Sequence, residues 1–472
     1  MPDDIVPKDE RPEDSTPEPD PSGDLPPGIA EVLRQLTGGA ELPPEVLDQF
    51  KAMGLGDVPP EQFQQVMSAV QAMFNAPDEG PVATTVAVDV ARKVVAGGGD
   101  PSMGERERKL ATDAVRVADL WLSQVTQLEA PGLEGVAWSR SEWVLDTMPV
   151  WEQLVSPVAE GVTRAMSAAA MEQFGSADLG SLPPGLIPPG TNPAAMMAQL
   201  APMLSRVGST MFAMQLGQGL AALAGELLGG TEVSLPITSP DTVALLPANI
   251  AVFAEGLEID AEQVWLYLAV RETARVRLFA GAPWLGPQLL AAVGDYARGI
   301  SIDTDAISTA LQGADITDPS SLQGALSDRL FAPTPTPAQR AALTRLETWL
   351  ALIEGWVDVV TERATSAHLP LANSLGETVR RRRATGGPAE KTFAALVGLE
   401  LRPRRLRDAA NLWSALDAAG GPGLRDAGWA HPDLAPTAAD LDDVLGYVER
   451  RTTAPAHDDF DTELAKLLRE ET

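Results

Sequence analysis

A helical pattern with charge on its apolar side constrains this chain more than any other feature. The stretch "LAVRETARVRLFAGAPWLG" (268–286) reads as a helix ending at a Gly/Pro turn. At 100° per residue, Val264, Trp265, Leu268, Val276 and Phe279 form one apolar face. Arg275 and Glu272 fall inside that face, and Arg271 falls at its edge beside Leu278; Thr273 and Arg277 point the opposite way. Taking an ion out of water costs several kcal/mol, so charges aimed at an interior need partners. Glu272 and Arg275, three residues apart, are close enough to pair on one helix.

A second helix offers further partners. Thr336, Pro337 and Gln339 form a capping box with proline at the first helical position, opening "AALTRLETWLALIEGWVDVVTERA". Its apolar face is Leu343, Leu346, Leu350, Ile353 and Val357, flanked by a stripe of Glu347, Glu354 and Asp358. The stripe either meets Arg271 and Arg275 between the two helices or forms a solvated edge. Asp260 with Gln263 gives the first helix a capping-box pattern too.

Several blocks between roughly residues 200 and 450 carry a family likeness: "ALLPANIAVFAEGL", the first helix with "APWLG", "YARGI", "LALIEGWVDVV" and "RRRATGGPAEKTFAALVGLELRPRRLRDAANLW". With these blocks the chain resembles the actinobacterial zincin-like metallopeptidase family (type 2), often labelled hydrolases or zinc-dependent metalloproteases. The resemblance implies a helix of the H-E-x-x-H type. There, two histidines four apart bind one zinc ion, and the glutamate serves as general base for the metal-bound water.

Laid on this sequence, the histidine positions are Arg271 and Arg275, and the glutamate is Glu272. Glu354 of the "EG" motif corresponds to a third ligand, with Asp358 as a facing carboxylate. Trp356 stands where related branches have a histidine, and Gly281 where some zincins place another. Arginine has no lone pair to offer a metal. The expectation is a vestigial site, with no metal, in which two arginines neutralise the remaining carboxylates. A site of Glu272, Glu354 and Asp358 alone could take Mg²⁺ or Mn²⁺, but two arginines oppose it. Two functions follow: a non-catalytic relative that binds a protein or peptide in the old cleft, or an active metal-dependent peptidase with unconventional ligands.

Composition limits the alternatives. The 472 residues carry a net charge of −31 and no cysteine. That charge argues against general nucleic-acid binding, and the missing thiols exclude disulfides and thiolate metal sites. The histidines are His368, His431 and His457, none at ligand spacing with another; surface or structural roles are expected of them. The expected organisation is mainly α, with a zincin-like helical C-terminal half. Residues 1–28 read as a disordered acidic, Pro-rich tail, 29–174 as a helical region, and 175–199 as a Gly/Pro-rich linker or loop. Residues 200–451 form the zincin-like domain and 452–472 an acidic tail. Short helical patterns appear at 28–39 and 59–74, and "VSLPI" (233–237) reads as a strand.

No secretory signal pattern opens the chain, and the cytoplasm is the expected location. The most apolar stretch, 209–230, is interrupted by Gln215, Gln218 and Glu226, so a buried helix is expected rather than a membrane span. Within it "GQGLAA" (217–222) matches a dinucleotide fingerprint only superficially, and closely packed glycines explain it better. The arginine-rich segments 380–383 and 402–407 leave open a phosphate, nucleic-acid or acidic-partner contact, or internal pairing.

Overall fold

The computed structural model describes residues 80–130, 132–176, 193–299, 336–384, 392 and 405–453. The N-terminal tail, residues 454–472, the short helices expected at 28–39 and 59–74, segment 177–192, residues 402–404 and His457 lie outside the described residues. The backbone divides into two units, 1–77 with 174–200 and 78–173 with 201–472, and nearly all described residues belong to the second.

The described residues are mainly α-helical. In chain order they form α1 (Thr84–Gly97), α2 (Glu105–Leu122), β1 (Glu134–Ala137), α3 (Arg140–Ser176), α4 (Pro193–Glu226), β2 (Thr242–Leu245), α5 (Pro247–Ala254) and α6 (Ala261–Gly281). There follow α7 (Leu285–Arg298), α8 (Pro337–Thr365), α9 (Ala372–Ala384), α10 (Leu406–Asp426), α11 (Ala438–Asp442) and α12 (Val444–Thr452). Helix α4 begins within the stretch expected as linker. No helix is long and apolar enough to cross a membrane among the described residues.

Two helices run through the centre of the core. Helix α8 opens as its sequence predicts: the Thr336 side chain accepts from the Gln339 N–H, Gln339 returns the bond, and Pro337 occupies the first turn. From Leu350 to Thr361 every residue of α8 is buried, and so is every residue of α6 from Tyr267 to Leu278. Helices buried on all sides normally carry only apolar side chains. The side of α6 bearing Thr273 and Arg277 is therefore interior as well, because α2 packs there; Arg277 pairs with Asp119 of α2 at 2.7 Å. Asp260 caps α6 through the Glu262 N–H at 2.8 Å, and Gln263 does not complete a box: its Oε1 is buried without a partner.

The strand expected at "VSLPI" is absent. Residues 231–235 form turns and bends instead, with Ser234 in the left-handed region at φ 63°. A strand cannot turn inward there, whereas this loop bends to bring hydroxyl and amide groups onto the carboxylates of α6 and α8. The strands are β1 and β2, paired in parallel with Glu134 opposite Thr242 and Ala137 opposite Leu245. Gly135 lets β1 lie on α2, since a Cβ there would stand 2.7 Å from the Ala111 carbonyl oxygen.

The family-like blocks have physical roles here. In "PAN", Asn249 is buried and donates to the Ala224 and Leu227 carbonyls, closing the end of α4, while its Oδ1 accepts from Arg140. Outside those blocks, in "GQGLAA", Gly217 allows α4 to meet α1, where a Cβ would lie 2.5 Å from the Ala87 carbonyl. In "EG", Gly355 is where α8 crosses α10: a Cβ would lie 2.7 Å from Ala410 N and 2.8 Å from Ala409 C. Those are backbone atoms and cannot swing aside. Gly355→Ala should force the helices apart and destabilise by about 1–3 kcal/mol in urea unfolding, despite alanine's better helix propensity. A neutral or stabilising result would mean the crossing is loose.

Candidate functional site

Helices α6, α8 and α9, with the loop after α4, bring nine ionised side chains together. Arg271 and Arg275 point from α6 toward Glu354 and Asp358 of α8. Arg271 donates through Nη1 to Asp358 Oδ1 at 2.9 Å and through Nη2 to Glu354 Oε2 at 3.1 Å. Arg275 donates through Nε to Glu354 Oε1 at 3.0 Å and through Nη1 to Glu272 Oε2 at 2.5 Å. Glu354, Glu272 and Arg275 are each at most 2% exposed. The acidic stripe of α8 thus meets the two arginines at Glu354 and Asp358.

Four members are not evident from the sequence pattern of this site. Arg380 and Arg383 of α9 reach Asp358 Oδ2 at 3.0 Å and Glu354 Oε2 at 2.9 Å. Arg382 pairs with Glu232 Oε1 at 2.5 Å. The run 380–383 is therefore paired internally, with Arg381 on Glu377 at the surface. A signal for two of them is present: residues 380 and 383, three apart, share one helix face. In the second segment, Arg405 pairs with Asp408 and Asp442.

The loop completes the carboxylates' hydrogen bonding. Thr231 donates to Glu272 Oε1 from its N–H (2.5 Å) and its hydroxyl (2.8 Å), and Ser234 Oγ donates to Glu354 Oε1 at 2.5 Å. Gly229 gives Glu272 its room, since a Cβ would stand 2.5 Å from Oε2. The left-handed Ser234 is the one non-glycine with positive φ among the described residues, a conformation that costs on the order of 1 kcal/mol. Its bond to Glu354 gives that strain a return.

These contacts set the protonation states. Burial pushes Glu354 up, but Arg275, Arg383 and Arg271, with the Ser234 hydroxyl, hold it far below the usual carboxylate range. Burial raises Glu272 above its ordinary value, against Arg275 and Thr231. Arg383 is pulled down to about 10 by burial, opposed by Glu354 and aided by Arg275.

The remaining sequence candidates lie elsewhere. Trp356, two residues beyond Glu354 and so on the other side of α8, donates its indole N–H to Asp426 Oδ1 at 2.9 Å. Asp426 also accepts from Arg425, Thr126 and Gln127, closing a separate polar knot. Gly281 packs against Leu128. His368 is exposed and stacks on Trp121 with ring centroids 4.4 Å apart, and exposed His431 caps the turn at 432–434. Among the described residues, no group of three or more His, Cys, Asp or Glu side chains is arranged to hold a metal ion.

Comparison with known proteins gives this architecture its kinship. No curated protein matches the chain. A crystal structure from Chloroflexus aurantiacus, described as that of a candidate hydrolase with a novel fold, superposes with a TM-score of 0.53 at 16% identity. The likeness covers 79% of this chain and 99% of that one, and it is a likeness of fold. A family model described as zincin-like metallopeptidase matches residues 82–448. The match begins well before residue 200, where the sequence blocks start, and so takes in α1 and β1 as well as α2, which packs with α6. Spanning most of the chain and every element that builds the charged cluster, it establishes that this protein belongs to the zincin-like metallopeptidase family.

Proposed function

We propose that this chain is a non-catalytic member of its family, in which an arginine–carboxylate lattice occupies the position of the metal centre and the old cleft serves binding. One observation carries the reading: every oxygen of Glu272 and Glu354 already accepts from a guanidinium, a hydroxyl or a backbone N–H. Zinc does not fit this donor set. Arg271 and Arg275 stand at the two ligand positions without a lone pair, and freeing Glu354 would take from Arg383 its paired carboxylate. Mg²⁺ or Mn²⁺ would meet the same guanidiniums.

A binding role has a surface to use. A groove of about 320 Å³ opens beside the cluster, lined by Pro236, Pro240, Val276, Phe279, Pro283 and Leu290. Thr231, which holds Glu272, also lines it, so an extended apolar peptide segment there would lie next to the lattice. Incubating the chain with a random peptide library and added zinc or manganese reads both functions at once. Peptides retained intact are the expected result. Cleavage that a chelator stops, and that Glu272→Gln abolishes, would instead make the chain an active peptidase.

A further inference from the structure

Two sides of the groove meet at one buried carboxylate. One side is the loop after α4, from Thr231 to Pro240, and another is the end of α6, with Val276 and Phe279. Glu272 joins them. Its Oε1 accepts from the N–H and the hydroxyl of Thr231, and its Oε2 from Arg275, the residue before Val276. Three residues further along the loop, Ser234 Oγ donates to Glu354 and ties the same segment to α8. The loop also rests against α7, since a Cβ at Gly286 would stand 3.1 Å from Pro236 Cγ. The charged lattice is thus the mount on which this side of the groove is fixed.

The lining determines what the groove can take. None of its residues is ionisable, so a charged side chain entering it would lose water and meet no counter-charge there. Pro236, Pro240, Pro283 and Pro287 have no N–H and withhold the donors that strand-like pairing with a peptide needs. Affinity then comes from apolar side chains buried against Phe279 and the proline rings, on a backbone the prolines have already ordered. Resting on the reading that this groove binds peptide, we propose that it selects an uncharged segment with bulky apolar side chains, and that Thr231 and Ser234 are the positioning residues through which the lattice holds its loop side in place.

Sequencing the library peptides that the full chain retains tests the selection. Leucine, isoleucine, valine and phenylalanine should be enriched, and aspartate, glutamate, lysine and arginine depleted about tenfold or more. The tightest of these peptides is then titrated against variants well below their melting temperatures. Thr231→Val keeps the shape and the N–H but loses the hydroxyl, and should weaken binding about tenfold. Thr231→Ser keeps the hydroxyl and should bind within about twofold of the unaltered chain. A threonine that served stability alone would lower the Tm of the valine variant without changing the affinity of its folded form. If Thr231→Val does not fold, Ser234→Gly takes its place. Glycine accepts the φ of 63° but gives up the bond to Glu354, and the same loss of affinity is expected. Retained peptides rich in charged residues, or variants without the hydroxyl that bind as tightly as the unaltered chain, would overturn the proposal and leave the binding function standing. Retention of no peptide would overturn that function and this proposal with it.

Discussion

Glu354→Gln should destabilise the fold by about 5 kcal/mol, the upper end of what breaking a buried ion pair costs. The substitution conserves volume, so packing contributes little. What it removes is the charge shared by Arg271, Arg275 and Arg383 in a site 1% exposed. The glutamine NH₂ would also face guanidinium N–H groups, and Ser234 would keep its left-handed backbone without its charged acceptor. The pH dependence identifies the cause. Glu354 has a folded pKa depressed below its unfolded value of about 4.3, so its contribution is complete above that pH and is lost as pH falls further. The gap between the two proteins in urea unfolding should therefore be widest at neutral pH and narrow below about pH 4. A gap that is small, or independent of acid, would show that the lattice does not carry the fold.

Arg275→Leu should cost roughly 3–5 kcal/mol. Leucine suits a site this deep, and on packing alone the change would be mild. The loss comes from Glu272, whose remaining partner would be Thr231, whereas Glu354 would keep Arg271, Arg383 and Ser234. Glu272 already has a raised pKa, and losing its guanidinium raises it further. A group with a raised folded pKa is better tolerated as its proton is supplied, so this penalty should shrink as pH is lowered toward 5. The variants are thus separable at mildly acid pH: Arg275→Leu recovers there, while Glu354→Gln does not. A change within experimental error for Arg275→Leu would mean that the arginine is not the counter-charge of the buried glutamates.

The parts of this site that stand on long helices are legible in the sequence. Helical periodicity gives each side chain a direction, so Arg271, Glu272 and Arg275 can be aimed inward, and Glu354 and Asp358 toward them. The capping box at Thr336 marks where α8 begins because its signals lie within four residues. The rest depends on contacts distant in sequence. The four residues of β1 form a strand only because Thr242–Leu245 lie alongside them. "VSLPI" alternates like a strand, yet the loop turns at Ser234 to reach a carboxylate 120 residues away. Arg380 and Arg383 resemble a basic surface in sequence because nothing local shows that α9 lies against α6 and α8. Two arginines are visible on the inward face of α6, but not that α9 supplies more.

The metal content of the chain, purified without chelator and without an affinity-tag histidine run, tests the central claim most directly. Elemental mass spectrometry should find far less than one zinc, manganese or magnesium ion per chain, because the oxygens of Glu272 and Glu354 already accept from guanidiniums, hydroxyls and a backbone N–H. Near-stoichiometric zinc would contradict the account, since the ion would have to displace those guanidiniums or use ligands outside the lattice.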